Sequence, residues 1–242
     1  VVEDSARGGW LLGIDTSADI ASIALVPTAP GSGYGAELSW PAPRSQTATL
    51  LSQIDHLLRA CGLEPEALGG VVVATGPGGF NALRVGMSVA KGFAFALELP
   101  IFGVGTLDIA AQAVACWGLP VRAFVPAGRR RAVFADYLPL GPALRRSGEM
   151  GNRPIPALAA DLTTPTVLTG DLTIDEQDTL RGQPNVVLPP SGLRQRRASF
   201  MVDLALERWR AGEQDDLTRL EPLYVHQQAG AAAQHADAGT RE

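Results

Sequence analysis

Apolar and polar positions alternate along this chain in short blocks whose periods predict a mixed α/β protein. The run "WLLGIDTS" (10–17) is apolar and ends in the turn formers Asp15, Thr16 and Ser17. "IASIALVP" (20–27) follows, then the turn "TAPGSG" and "YGAELSW" (34–40), which together read as strand–turn–strand–turn–strand. From Gln46 to Cys61 the period changes: Leu50, Leu51, Ile54, Leu57, Leu58 and Cys61 make one helical stripe, and Gly62 is a natural stop. "GVVVAT" (70–75) is short and β-branched, the mark of a buried strand. A glycine-rich loop leads to a helix over 81–97, with Asn81 as N-cap and Leu83, Met87, Ala90, Ala94 and Leu97 stepping by four and three. Gly86, Ala90, Gly92, Ala94 and Ala96 keep that helix thin, so another backbone can approach it. Further on, "PIFGVGT", "PVRAFVP", "RAVFADYLP" and "PTVLTGD" read as strands, and 106–117 and 198–209 as helices. "EPLYV" closes the domain. The stretch 139–160 has no period, and residues 229–242 have the composition of a disordered tail.

The order β-β-β-α-β-α, followed by a second mixed block, implies a sheet with parallel pairs and helices on both faces. A hairpin at the start suits the ribonuclease-H-like core of the actin/Hsp70/sugar-kinase superfamily. The expected organisation is an N-terminal extension (1–9), an N-terminal subdomain (10–105), a similar C-terminal subdomain (106–228) and the tail (229–242). No repeat of fixed period is visible.

Length and composition narrow the picture only a little. A chain of 242 residues can bury a sizeable core. Its net charge of −5 argues against broad nucleic-acid binding, while leaving room for a local basic patch. Cys61 and Cys116 are the only cysteines, far apart, and fit buried thiols in a reducing compartment better than a disulfide framework. The acidic, polar start is unlike a signal peptide, and no apolar run reaches the roughly 18–20 residues that span a bilayer. These features point to the cytoplasm and to no membrane partner.

Candidate chemistry is sparse. Asp15, Thr16 and Ser17 stand at a strand end, where nucleotide-binding members of the superfamily hold a metal and phosphates; here the turn lacks glycine. The other reading makes them turn and capping groups. The loop Gly76, Pro77, Gly78, Gly79, Phe80, with Arg84 beyond it, could offer helix N–H groups to an anion, yet no lysine follows for a β- or γ-phosphate. His56, His226 and His235 have no second histidine three or four residues away. Arg129–Arg131 and Arg194, Arg196 and Arg197 are either a solvated surface or a local contact to an anion or RNA.

Taken in order, "LLGIDTSADIASIALV", "RSQTATLLSQIDHLLRACGL" and "VVVATGPGGFNALRVGMSVAKGFAFALELPIFGVGTLDIAAQ" resemble the TsaB/YeaZ family, over Leu11 to about Gln112. "EPLYV" resembles the family's terminal segment. The family's loop commonly reads Gly-Pro-Gly-Ser-Phe-Thr-Gly; Gly79, Asn81 and Ala82 depart from it. Arg44-Ser45 stands for its His-Ser, and Pro126–Arg129 for its Asp-Ala-Arg start. The resemblance implies a non-catalytic subunit of the machinery that makes N6-threonylcarbamoyladenosine at tRNA position 37, without a metal or cofactor of its own and with ATP, if any, at a subunit junction. It implies a catalytic TsaD-type partner, a TsaE-type ATPase subunit, a homodimer as the other use of the same face, and tRNA met through the complex. The family docks its first two helices against the partner's. Carried onto this sequence, the interface is Leu50, Leu51, Ile54, Leu58, Leu83, Met87, Ala90 and Ala94, and Phe80 plugs the core under the loop. Two alternatives are an independent ATPase or small-molecule kinase that holds magnesium on Asp15, and a metallopeptidase.

Overall fold

The computed structural model describes residues 8–29, 35–42, 46–141 and 143–224. Two five-stranded sheets carry the chain. The first contains β1 (Trp10–Asp15), β2 (Ile20–Pro27), β3 (Ala36–Pro41), β4 (Leu68–Gly76) and β5 (Ile101–Gly105), in the order β3-β2-β1-β4-β5. The second contains β6 (Val121–Pro126), β7 (Arg131–Leu140), β8 (Ala143–Pro154), β9 (Thr166–Thr169) and β10 (Val186–Val187), in the order β10-β9-β6-β7-β8. Both follow one scheme. The first three strands pair antiparallel, and the fourth and fifth add in parallel on the other side of the first. The mixed sheets and two similar halves expected from the element order are therefore present.

The continuous apolar runs in β1 and β4 follow from burial on both faces. On one face Leu12, Ile14, Val71 and Val73 meet α1 (Gln46–Ala60) and α2 (Phe80–Ala96). On the other, Leu11, Val72 and Ala74 meet α6 (Ala198–Arg210). Helix α6 is anchored by Trp209, whose Nε1 donates to the Gly69 carbonyl at 2.9 Å. It comes from the far end of the chain, so the expected division at residue 105 does not separate the packing units. Between the sheets lies α3 (Thr106–Gln112), buried nearly all round, with Ile109 facing one core and Leu107, Ala110 and Ala111 another.

Three expectations about elements change. The helix expected over 106–117 ends at Gln112; Ala115–Trp117 is a separate 3-10 turn that stops at Gly118, with φ 67°. The patternless stretch 139–160 contains β8, a 12-residue strand exposed along most of its length. An edge strand with water on both faces has no alternation to display. Helix α4 (Ile174–Arg181) lies where the apolar pattern predicts none, although Thr173 and Glu176 form a reciprocal capping box at its start, which T-x-x-E announces. A single helical turn, α5 (Ser191–Arg194), then leads the chain back toward α6.

The second sheet's outer face is stapled by Arg122. Its side chain is 5 % exposed and donates to Asp136 at 2.7 and 2.9 Å, to Asp161 at 2.6 Å and to the Leu158 carbonyl at 2.6 Å. Burial alone would lower the Arg122 pKa; the two carboxylates outweigh it and hold the guanidinium charged. The hydrogen bond from Arg122, helped by Arg153, holds the Asp161 pKa down at about 2. A depressed acid stabilises the fold above its unfolded pKa of about 3.9, and that contribution is lost as pH falls through the folded value. Wild-type denaturation midpoints should therefore decline between about pH 4 and 2, and Asp161→Asn should flatten the decline. Urea titrations followed by circular dichroism at stepped pH check this; coincident pH profiles would refute it. The effect is modest, because Asp161 is half-exposed and water screens the pair.

Candidate functional site

The end of β1, the loop after β4 and the segment before α6 surround a cleft of about 1050 Å³ between the two sheets. Asp15, 2 % exposed, lies behind two of the lining residues, Ser17 and Arg196. One carboxylate oxygen accepts from the Ser17 backbone N–H at 2.8 Å and from the Ser17 hydroxyl at 2.5 Å. The other accepts from Arg196 Nε at 3.4 Å. Arg196, itself 4 % exposed, reaches Asp171 beyond the end of β9 with Nη1 at 3.1 Å. Burial would lower the Arg196 pKa, but the two acids reverse the sign and raise it. One buried cation therefore ties the end of β1 in the first sheet to the segment after β9 in the second. Both Asp15 oxygens are engaged by the chain itself, and a divalent cation there would face a guanidinium. The residues present do not fit a metal-bound phosphate.

The glycine loop serves the turn beside it. Gly76 has φ +108°, a conformation that side chains with a Cβ rarely adopt, and the Gly76–Pro77 peptide is cis. Gly79 N–H donates to the Ser17 carbonyl at 2.9 Å, and Thr106 Oγ1 donates to the Pro77 carbonyl at 2.5 Å. Thr16 Oγ1 donates to the Ala82 carbonyl at 2.6 Å. A Cβ on Gly86 would collide with that hydroxyl, so only glycine lets α2 lie this close to the β1–β2 turn.

Two expectations about the loop are overturned. Asn81 is not the N-cap. The Gly79 carbonyl accepts from Leu83 N–H at 2.9 Å, which starts the helical ladder earlier, and Gly79 takes the cap. Phe80 does not plug the core: it is 53 % exposed, its ring 4.8 Å from that of Tyr224, with Arg84 at 4.8 Å from its centroid. "EPLYV" does close onto this region, through Leu223 N–H to the Thr75 carbonyl at 2.7 Å; Val225 lies outside the described residues.

The partner-interface residues need a larger correction. Leu50, Ile54, Leu58, Leu83, Met87, Ala90 and Ala94 all lie buried within the chain's own core; of the eight, only Leu51 points outward. The apolar stripes of α1 and α2 face the sheet, as amphipathic stripes normally do. The outer face of α2 is offset around the helix: Arg84, Ser88, Gly92 and Phe95 are exposed, with Val85 and Val89 half-buried beside them. Phe95 is 78 % exposed, Leu51 is 57 %, and a Cβ on Gly92 would meet nothing within 4 Å. The helix is thin on its outward side too, through residues that the apolar stripe did not select.

Other sequence candidates scatter. Arg194 and Arg196 are buried, not solvated, whereas Arg129, Arg130, Arg131 and Arg197 are exposed. The cysteines are not buried: Cys61 is partly exposed and Cys116 exposed. His56 is exposed, and His226 and His235 fall outside the described residues, as does the tail 229–242. Among the described residues no three or more His, Cys, Asp or Glu side chains gather as metal ligands, and no helix is long and apolar enough to cross a membrane.

A family model described as "TsaD: tRNA N6-adenosine threonylcarbamoyltransferase" matches residues 41–151. The tRNA threonylcarbamoyladenosine biosynthesis protein TsaB of Haemophilus influenzae is 34 % identical over 103 residues, 43 % of this chain and 42 % of that protein. A tRNA N6-adenosine threonylcarbamoyltransferase of Thermus thermophilus is 34 % identical over 128 residues, 47 % of this chain and 39 % of that protein. The chain thus spans about two-fifths of the length of the curated relatives it matches. Among solved structures, YeaZ from Pseudomonas aeruginosa superposes with a TM-score of 0.74 at 25 % identity, over 90 % of this chain and all of that one. With the duplicated sheet and the loop after β4 in agreement, the chain is similar to TsaB and TsaD-type proteins in sequence over about two-fifths of its length, and to YeaZ in fold over nearly all of it.

Proposed function

We propose that this chain is a non-catalytic subunit of the tRNA threonylcarbamoyladenosine system that docks a TsaD-type catalytic partner through the outer faces of α1 and α2. The observation that carries the reading is the thin apolar face of α2. Val85, Ser88, Val89, Gly92, Phe95 and Ala96 follow helical spacing on a helix whose opposite side is buried, and Leu51 extends the patch onto α1. A large phenylalanine left 78 % exposed costs solubility unless something covers it. Glycine and serine beside it let a second helix approach closely. A stable interface hides about 1,200–2,000 Å² in total, and two helices of this length supply much of one side.

The engaged state of Asp15 favours this reading over an independent ATPase or kinase, which needs that carboxylate free for magnesium. The proposal gives the chain no cofactor of its own and places any ATP at the subunit junction. A TsaE-type ATPase joins the assembled pair, tRNA is met within the complex, and a homodimer through the same face is the form without a partner. The test is co-elution with a TsaD-type protein in size-exclusion chromatography. Val89→Glu and Phe95→Asp should each weaken the complex at least about 100-fold, since a buried unpaired charge in an interface costs several kcal/mol, while circular dichroism stays unchanged. Full-strength co-elution by both variants would dismiss this face as the interface.

A further inference from the structure

We propose that the β7–β8 ribbon carries a phosphate-backbone contact for RNA, made by Arg129, Arg130, Arg145 and Arg146; the proposal rests on the functional reading above only for the identity of the RNA. The starting observation concerns which cations the protein has already used. Ten of the described arginines donate to a carboxylate, a carbonyl or an amide oxygen: Arg59 to Asp55, Arg131 to Asn152, Arg153 to Asp161, Arg181 to Asp178, Arg197 to Glu37 and Arg210 to the Thr28 carbonyl show the pattern beside Arg122, Arg196, Arg208 and Arg219. In a chain with 25 acids and 20 bases, acceptors are plentiful. Yet Arg129, Arg130, Arg145 and Arg146 are exposed, and their side chains make no hydrogen bond or ion pair with any described residue. Arg84, stacked on Phe80, is the remaining exposed arginine without an acceptor among the described residues.

These four share one ribbon. Arg129 and Arg130 form the β6–β7 turn, and Arg145 and Arg146 open β8, where they face Leu138 and Tyr137 of β7. Residues 126–154 contain six arginines and two acids, and one of those acids, Asp136, is held by Arg122. Glu149 is the other. The local balance is therefore positive in a protein whose net charge is −5. Six register steps separate the Arg131 and Tyr137 positions, about 20 Å at ~3.4 Å per residue, so the two pairs sit at opposite ends of the ribbon, and Arg145 and Arg146, consecutive in a strand, project to either side of its edge. β8 ends the sheet order, leaving its outer edge uncovered among the described strands. Both turn arginines have left-handed φ, 49° and 56°, where side chains with a Cβ are strained. Arginine offers a planar fork of donors that matches phosphate oxygens, and four spaced forks suit a polyanion better than a single small anion.

The test measures binding of a tRNA transcript by the full chain, by fluorescence anisotropy at several salt concentrations. Two quadruple variants remove equal charge: R129Q/R130Q/R145Q/R146Q, and R59Q/R181Q/R197Q/R219Q from the paired set. Glutamine keeps a Cβ, so the strain at 129 and 130 is unchanged. Each phosphate contact contributes about 0.7–0.9 to the slope of log affinity against log salt. The first variant should lower that slope by about 3 and weaken binding at least about tenfold, and the second should leave both nearly unchanged. Equal losses in the two variants would mean general charge, and an unchanged slope in the first would mean no contact; either overturns the proposal. So would a first variant that retains RNA binding but loses co-elution with the TsaD-type protein, since the strip would then dock protein. Val89→Glu separates the readings: loss of the partner with an intact salt slope leaves this proposal standing, and failure of the docking reading alone leaves the slope measurement unaffected.

Discussion

Arg196→Met is expected to destabilise the protein by about 3–5 kcal/mol, a large fraction of the stability of an ordinary domain. The size follows from what the substitution leaves behind. Asp15 is 2 % exposed and keeps only its two Ser17 hydrogen bonds once the guanidinium is gone. Desolvation of an ionised carboxylate is then uncompensated, and breaking a buried pair from one side costs far more than the pair was worth. Asp171 loses the same partner, but its side chain is 44 % exposed and water can replace the contact. Asp171→Asn should accordingly cost about 1 kcal/mol or less. The double variant Asp15→Asn/Arg196→Met removes both charges and should recover most of the loss, giving a coupling energy that a double-mutant cycle can read. Urea denaturation at pH 7 of the wild type, Asp15→Asn, Arg196→Met, their double variant and Asp171→Asn measures all of this. A cost below about 1 kcal/mol for Arg196→Met would show that the ion pair does not hold the cleft lining in place.

The same residues show how far the sequence could be read. β1, β2, β4 and β5 were legible because burial on both faces leaves unbroken apolar runs, and α1 and α6 because burial on one face leaves a helical stripe. β8 was not, since it buries little of either face. Asp15 stands out in the sequence, but its partner Arg196 does not, because 181 positions separate them and "RQRR" looks like any solvated cluster. The turn-and-capping reading of Asp15, Thr16 and Ser17 was available from composition, and the Ser17 and Ala82 hydrogen bonds agree with it. The outer face of α2 was hidden for a further reason. Apolar periodicity finds the side of a helix that meets its own sheet, while the proposed docking face is marked by what is small or oddly exposed, such as Gly92 and Phe95. Only the tertiary packing decides which side is which.

That distinction gives the sharpest contrast between neighbouring positions. Ala90→Arg should unfold the chain, whereas Gly92→Arg should fold normally and lose its partner. Ala90 is fully buried against Ile54 and Val73 and their neighbours in the α1–α2 core, where a guanidinium has neither room nor an acceptor. Overpacking and an unpaired buried charge each cost several kcal/mol, so together they exceed most of a typical total of about 5–15 kcal/mol. Gly92 stands two positions on, roughly half a turn around the helix, with open space where its Cβ would be. Replacing glycine in a helix interior gains up to about 1 kcal/mol in propensity, so Gly92→Arg should raise the thermal midpoint by a few degrees. In the proposed complex, the same arginine would have to be desolvated against the partner helix that approaches Gly92. Co-elution with a TsaD-type protein should fall below detection although the monomer is more stable than wild type. Thermal melts and size-exclusion of the two variants separate the outcomes. A folded Ala90→Arg would contradict the burial of this helix, and a Gly92→Arg that still binds at full strength would mean the partner docks elsewhere.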